Sequence, residues 1–226
     1  MTHILDNPIW NAFLTGNKQF AHGGRRAKYI NREMGLFAAL KTNSELDLVD
    51  LHALLPVKNF VALFTPKEIR IPSGWRIELK KAILQMVYQK GFAIGKEPDL
   101  IPLLDKDIPA MLELTQMTNP GPFLSRTIDF GNYEGIFQEN NLVAMAGQRL
   151  QPDPYSEVSA VCTHPDHTGK GYAAKLVRSQ IGKITALSRI PFLHVYADNT
   201  AACRLYEKLG FQIRKEMLVY FLEKEI

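Results

Sequence analysis

The residues with the plainest chemical meaning lie between Val158 and Ala173. Val158, Ala160 and Cys162 alternate with Ser159, Val161 and Thr163, which predicts a β-strand. Pro165 has no amide hydrogen and stops it. A polar turn follows, with Gly169 and Gly171 one residue apart, and then Leu176, Val177 and Ile181 recur at helical spacing from Tyr172 onward. A strand, a glycine turn and a helix aim unpaired backbone N–H groups at an anion, and the helix N-terminus adds partial positive charge. The chemistry implied is phosphate binding. A P-loop is excluded, because position 164 is His164 and Lys170 is followed by Gly171. A dinucleotide fingerprint is satisfied by Gly169, Gly171 and Ala174. Such a fingerprint opens its domain, however, and too little chain follows Ala174 to build a doubly wound sheet.

A second stretch lies downstream, in Asp198-Asn-Thr-Ala-Ala-Cys-Arg-Leu-Tyr-Glu-Lys-Leu-Gly-Phe211. Residues Thr163 to Ala174 resemble the acyl-CoA-binding motif of the GNAT superfamily of N-acyltransferases, [QR]-x-x-G-x-[GA] after a strand ending in His-Pro. Asp166 stands where that motif has Gln or Arg. The second stretch resembles the family's later motif, with Asn199, Ala202, Leu205, Tyr206, Gly210 and Phe211 in place. The resemblance covers about residues 98–226, an ordinary domain length. Residues 1–96 resemble, more weakly, the divergent first half of two-part GNAT proteins of the glycine N-acyltransferase-like group.

What the resemblance implies is an α/β chain with a mixed (α+β) sheet in the GNAT fold. It comprises a divergent α/β part over 1–96, GNAT-like without a CoA site, and an acetyltransferase domain over 97–226. The acyl donor is acetyl-CoA. Its contacts fall on Val161, Cys162, Thr163, Thr168, Gly169, Lys170, Gly171, Tyr172, Ala173, Asn199, Ala202 and Tyr206. Acyl transfer to an amine needs a held thioester, a polarised carbonyl, a deprotonated amine and a protonated leaving thiolate. Backbone amides of Thr168 to Ala173 serve the first need, and an N–H of strand 160–163 the second. Tyr206 fits the thiolate acid, since a phenol near 10 can donate to a thiolate whose conjugate acid is near 8.5. Glu157, just before the central strand, is the expected base, with Glu134, His164 and His194 as rivals. Asn199 both caps the next helix and reaches the pantetheine amide. Direct attack in a ternary complex is expected, because no Cys–His pair suggests a covalent relay. The alternatives are a catalytically silent acyl-CoA-binding regulator and, more remotely, a dehydrogenase using the 169–174 turn.

These residues need a scaffold. Pro191 to Tyr196 reads as a strand, parallel to 158–163 because a helix joins them. The family splays this pair to admit the pantetheine arm. Tyr133–Phe137, a turn at Glu139–Asn141 and Leu142–Leu150 read as a hairpin. Asp105 caps a helix through Met111 and Leu114, and the loop Asn119–Phe123 after it is expected at the acceptor. Leu100–Leu104 reads as a strand, and 91–98 as the junction between the two parts. Upstream, Asn7 and Pro8 start a helix with Ile9, Trp10, Phe13 and Leu14. His22–Lys28 reads as a solvated basic turn. Leu46, Val49, Leu51, Leu54 and Leu55 predict a core-facing helix. Phe60–Phe64 and the alternation from Trp75 predict strands, and Ile83–Tyr88 is apolar without a clear period.

The 226 residues suffice for a sizeable core, and 46% hydrophobic with 22% charged residues is ordinary globular composition. A net charge of +4 suits an anionic ligand but equally plain solubility. No basic block interleaved with aromatics points to nucleic acid. No apolar run has membrane-span length, and the first residues lack a signal-peptide pattern. Cys162 and Cys203 have no motif spacing and read as reduced thiols of a cytoplasmic protein. No metal is expected. The expected partners are acyl-CoA and a small amine, amino acid or peptide acceptor, with the chain a monomer or homodimer.

Overall fold

The structure, a computed structural model, describes residues 3–89 and 100–225. Its frame is one eight-stranded sheet. In chain order the strands are β4 (Phe60–Thr65), β5 (Trp75–Tyr88), β6 (Ile101–Pro102), β7 (Glu134–Gln138), β8 (Asn141–Gln148), β9 (Tyr155–Thr163), β10 (Ile190–Tyr196) and β11 (Phe211–Lys224). Across the sheet they run β4-β11-β5-β10-β9-β8-β7-β6. Three short strands, β1 (Ala21–Gly23), β2 (Ala27–Ile30) and β3 (Ala38–Leu40), make a second sheet. It joins the first where the Ala62 N–H donates to the Leu36 carbonyl at 2.6 Å.

The expected division at residues 96 and 97 runs between strands of one sheet. β4 and β5 come from the first part and pair with β11 and β10 of the second. The ambiguous run Ile83–Tyr88 is the second half of β5, which lies between β10 and β11 and is buried on both faces there. That double burial explains why it shows no alternation. The junction expected over 91–98 lies outside the described residues.

The β7–β8 hairpin turns through Glu139 and Asn140, both at positive φ, as a tight two-residue turn requires. The helices are α1 (Pro8–Leu14), α2 (Glu45–Leu54), α3 (Ile108–Thr118), α4 (Tyr172–Ala186) and α5 (Thr200–Lys208). Asn7 precedes α1 without a side-chain cap bond, and its Nδ2 donates to the Leu40 carbonyl at 2.7 Å. Ile9, Trp10 and Phe13 of α1 pack with Phe37, Phe64, Phe192 and Val219. α4 and α5 contribute Val177, Ile181 and Tyr206 to another cluster with Met86, Leu193, Val195 and Phe211. Leu193 and Val195 thus point to one face of β10, and Phe192 to the other.

α2 forms where expected, with Ser44 and Asp47 closing a capping box, but its buried face differs. Leu48, Leu51 and Leu55 are buried, whereas Leu46 and Val49 are 61% and 54% exposed and Leu54 is also exposed. Leu46, Leu48, Val49, Leu51, Leu54 and Leu55 span more than one helical face, so spacing alone left the facing side open. Leu48→Ala is expected to cost about 2–5 kcal/mol, the range for a fully buried leucine, and Leu46→Ala within about 0.5 kcal/mol of nothing. Urea melts of the two variants check this.

Candidate active site

β9 and β10 are parallel, but only Ile190 to Phe192 pair with Tyr155 to Glu157. Beyond Glu157 and Phe192 the strands diverge. β9 also carries one extra residue opposite β8, between Cys162 and Ser159, and there Ala160 adopts φ +51°. A bulge of this kind bends its strand. The resulting wedge opens into a cavity of about 210 Å³. Val158, Ser159, Ala160 and Val161 line one wall, and Val195, Tyr196, Asn199, Ala202 and Tyr206 another. Asn119 to Pro122 line it too. Asn119 ends α3 in the left-handed conformation, and this turns the following loop over the cavity.

At the surface, Thr168 to Gly171 lead into α4. Gly169 and Gly171 have φ of +75° and +77°, and a Cβ at either would meet nothing within 4 Å. Glycine is therefore required by backbone conformation rather than by crowding. Gly171 precedes α4 without a side-chain cap, and no acidic residue sits in the first turn. The first N–H groups of α4 thus have no anionic side chain of the helix's own first turn or cap position to meet them. Lys170 Nζ lies 3.2 Å from His167 Nδ1, and the His167 ring stacks on Tyr172 at 6.5 Å. Exposed turn, open wedge and buried end together suit a long ligand with an anionic head and a thin apolar arm, which is the shape of CoA.

Tyr206 and Asn199 fall on one face of the first turns of α5, and Ala202 between them keeps that face low. Asn199 caps the helix by accepting from the Ala202 N–H at 3.1 Å, which engages Oδ1 and not Nδ2. Burial pushes the Tyr206 phenol above its ordinary value, so it keeps its proton. Val161 lines the cavity. Cys162 is buried among Met111, Leu114 and Met145, and burial pushes its thiol up to about 12. Thr163 Oγ1 is buried without a hydrogen bond among the described residues. Neither side chain lines the cavity, so any contribution from these two is through the backbone.

Glu157, the expected base, is fully buried. Arg149 Nε and Nη2 donate to its two oxygens at 2.9 and 2.7 Å. His194 Nδ1 lies 2.7 Å from Oε1, and the Leu150 N–H is 3.3 Å from Oε2. Burial pushes the carboxyl up, but the Arg149 charge and the hydrogen bonds from His194 and Arg149 more than offset it and hold the group at about 2. A carboxylate so satisfied is a poor proton acceptor. Its geometric role is to orient His194, which does line the cavity. Burial lowers the His194 imidazole, so it is neutral near pH 7 and donates Nδ1–H to Glu157. Its Nε2 sits 3.0 Å from Gln85 Nε2, which also donates to the Leu5 carbonyl at 2.8 Å. Arg214, the extra residue of a bulge in β11, donates to Gln85 Oε1 and to Asp6. Sequence reasoning missed Arg149 and Gln85. Each is an isolated polar residue at a strand or strand end, and only the long-range pairing reveals its partner.

The other rivals lie elsewhere. Glu134 accepts from Ser179 Oγ at 2.7 Å and Gln180 Nε2 at 3.0 Å, and pairs with Lys183 at 2.9 Å, tying β7 to α4. His164 Nδ1 accepts from the Asp166 N–H at 3.2 Å and caps the short turn Pro165–His167. Among the described residues no group of three or more His, Cys, Asp or Glu is placed to hold a metal. No helix there is long and apolar enough to cross a membrane.

A GNAT-family protein from Novosphingobium aromaticivorans DSM 12444 is 33% identical, and its solved structure superposes with a TM-score of 0.93 over 100% of both chains. The chain belongs to the GNAT family. The model of the FR47-like protein family matches residues 133–219, which include both motifs. More distant GNAT folds also span nearly the whole chain. The GCN5-related N-acetyltransferase from Kribbella flavida is 15% identical, with TM-score 0.60 over 96% of this chain and 94% of that one. A GCN5-related N-acetyltransferase-like protein from Streptococcus suis 89/1591 is 17% identical, with TM-score 0.55 over 91% and 82%. No match was found among curated protein sequences. GNAT membership removes the dehydrogenase alternative, as does the sheet, in which only β9 and β10 pair in parallel.

Because Glu157 is held near 2 against an ordinary 4.5, its stabilising contribution is complete above about 4.5 and is lost as pH falls toward 2. Arg149→Met is expected to cost about 3–5 kcal/mol near neutral pH, by leaving a buried charge without its partner, and to weaken that acid dependence. Denaturant melts of both proteins across the acid range measure it.

Proposed function

We propose that this GNAT protein transfers an acyl group, acetyl in the first place, from acyl-CoA to a primary amine by direct attack in a ternary complex. The observation that carries the reading is the wedge between β9 and β10, which has Val158 to Val161 on one side and Asn199, Ala202 and Tyr206 on the other. The pyrophosphate is assigned to the N–H groups of Thr168 to Ala173, with Lys170 beside them. The pantetheine arm runs along Val158 to Val161, past Asn199 and Ala202. The thioester carbonyl accepts from a backbone N–H of the bulged strand, where charge develops as the amine attacks.

The leaving thiolate takes its proton from Tyr206, which burial keeps protonated and α5 holds at the wedge. The phenolate so formed takes up the proton that the attacking nitrogen loses as the intermediate collapses to amide and free thiol. Glu157 is not assigned the base. The attacking amine arrives in its neutral form, favoured by transfer from water into a cavity whose lining includes no carboxylate. His194, neutral and with its two ring nitrogens engaged by Glu157 and Gln85, gives the amine a fixed, uncharged wall.

Tyr206→Phe removes one hydroxyl and little volume. Fold and CoA affinity are expected to survive while kcat falls by about 10²–10⁴, the usual value of a general acid. Thiol release and calorimetric CoA titration measure the two. An effect confined to KM makes Tyr206 a binding residue only. Gly171→Glu places a charge and a side chain at the assigned phosphate position, and loss of CoA binding in a folded variant is the expected result. Unchanged affinity removes the pyrophosphate assignment. A protein that binds acetyl-CoA tightly and releases no thiol with any amine is the silent binder instead.

A further inference from the structure

The cavity does not end at Tyr206. Past the wedge it continues under the N-terminal segment, to an end lined by Phe37, Phe64, Phe130 and Phe221. These rings are braced edge to face. Phe37 meets Phe64 with centroids 5.7 Å apart at 79°, and Phe130 at 6.3 Å and 73°. Three of the four side chains belong to buried core, and such packing gives a fixed shape rather than a soft surface. The charges at this end cancel. Arg149 lies 4.9 Å over the Phe37 ring, but its guanidinium is paired to Glu157, and His194 is neutral. Among the described residues, no aspartate or glutamate lines the cavity.

From this lining we infer the acceptor class: a primary amine carrying an aromatic or comparably bulky apolar group, and no second positive charge. The inference rests on the acyl-transfer reading for its amine and on the cavity alone for its apolar group. A ring seated against the four phenylalanines leaves water, whereas a diamine must bury an ammonium with no carboxylate to meet it. The 210 Å³ is shared with the pantetheine arm, assigned to the Val158–Val161 side, so the acceptor's ring is placed against the phenylalanines alone. The same desolvation lowers the pKa of the bound amine, so one feature serves both selection and nucleophile formation.

Wild-type protein with saturating acetyl-CoA is assayed for thiol release with 2-phenylethylamine, ethylamine and 1,4-diaminobutane. The expected kcat/KM for 2-phenylethylamine exceeds each of the others by at least tenfold, the discrimination a buried apolar group supplies. Equal values, or a preference for the diamine, overturn the inference and leave acyl transfer standing. Ala62→Leu, which narrows the aromatic end, is expected to reduce the 2-phenylethylamine value at least tenfold and leave ethylamine unchanged, with folding checked by thermal melting. If that variant does not fold, the wild-type ranking decides. If acetyl-CoA binds and no amine releases thiol, the transfer reading has failed. Calorimetric titration of wild-type protein with N-acetyl-2-phenylethylamine and N-acetylethylamine then tests the cavity by itself. Tighter binding of the aromatic amide sustains the apolar subsite, and equal or absent binding overturns it.

Discussion

A buried carboxylate sits where the sheet opens. Glu157 faces Phe192 at the last paired step of the parallel ladder, and beyond it β9 and β10 separate. An ionised carboxylate cannot stay there unpaired, since desolvation costs several kcal/mol. It is met from both sides, by Arg149 just after β8 and by His194 on β10. The three groups brace the apex of the wedge from both flanking strands. The row then continues across the sheet through Gln85 on β5, Arg214 at the β11 bulge and Asp6 near the start of the chain. A polar row of this kind is favourable only when each member is satisfied, and here each has its partner.

This arrangement separates two jobs that a single acid–base residue might have combined. Glu157 and Arg149 set geometry and cancel each other's charge. Burial keeps the two titratable groups at the cavity wall, the Tyr206 phenol and the His194 imidazole, in their neutral forms. Arg149 itself lines the cavity, but its charge is matched by Glu157, and a cavity whose charged lining is already paired favours neutral ligands.

The two motifs were legible because each is local. A strand, two glycines at positive φ and a helix start lie within one short stretch, and Asn199, Ala202 and Tyr206 need only helical periodicity to share a face. The facing of α2 was not legible, because its leucines cover too much of the helix. Nor was the role of Glu157. It was expected just before the strand but lies within β9, its partners stand at 149 and 194, and a carboxylate's reactivity depends on partners rather than on position. The β5 strand illustrates the same limit. Its residues are plainly apolar, yet nothing local says that they insert between strands 100 or more residues later in the chain.

That insertion makes the first half of the chain part of the catalytic architecture. β10 carries His194 and one wall of the wedge, and its ladder partner on the far side is β5, from Phe192 opposite Val87 to Tyr196 opposite Ile83. β11 pairs with β5 in turn and with β4 at its other edge. No cut near residue 96 therefore yields two self-contained sheets. Without β5, the backbone of β10 loses its ladder on the side away from the wedge, and His194 loses Gln85. Without the segment from Met34 to Phe37, the cavity loses a wall and opens to water. The two motifs are thus local features of the second half, whereas the aromatic lining of the cavity is shared, with Phe37 and Phe64 coming from the first half and Phe130 and Phe221 from the second.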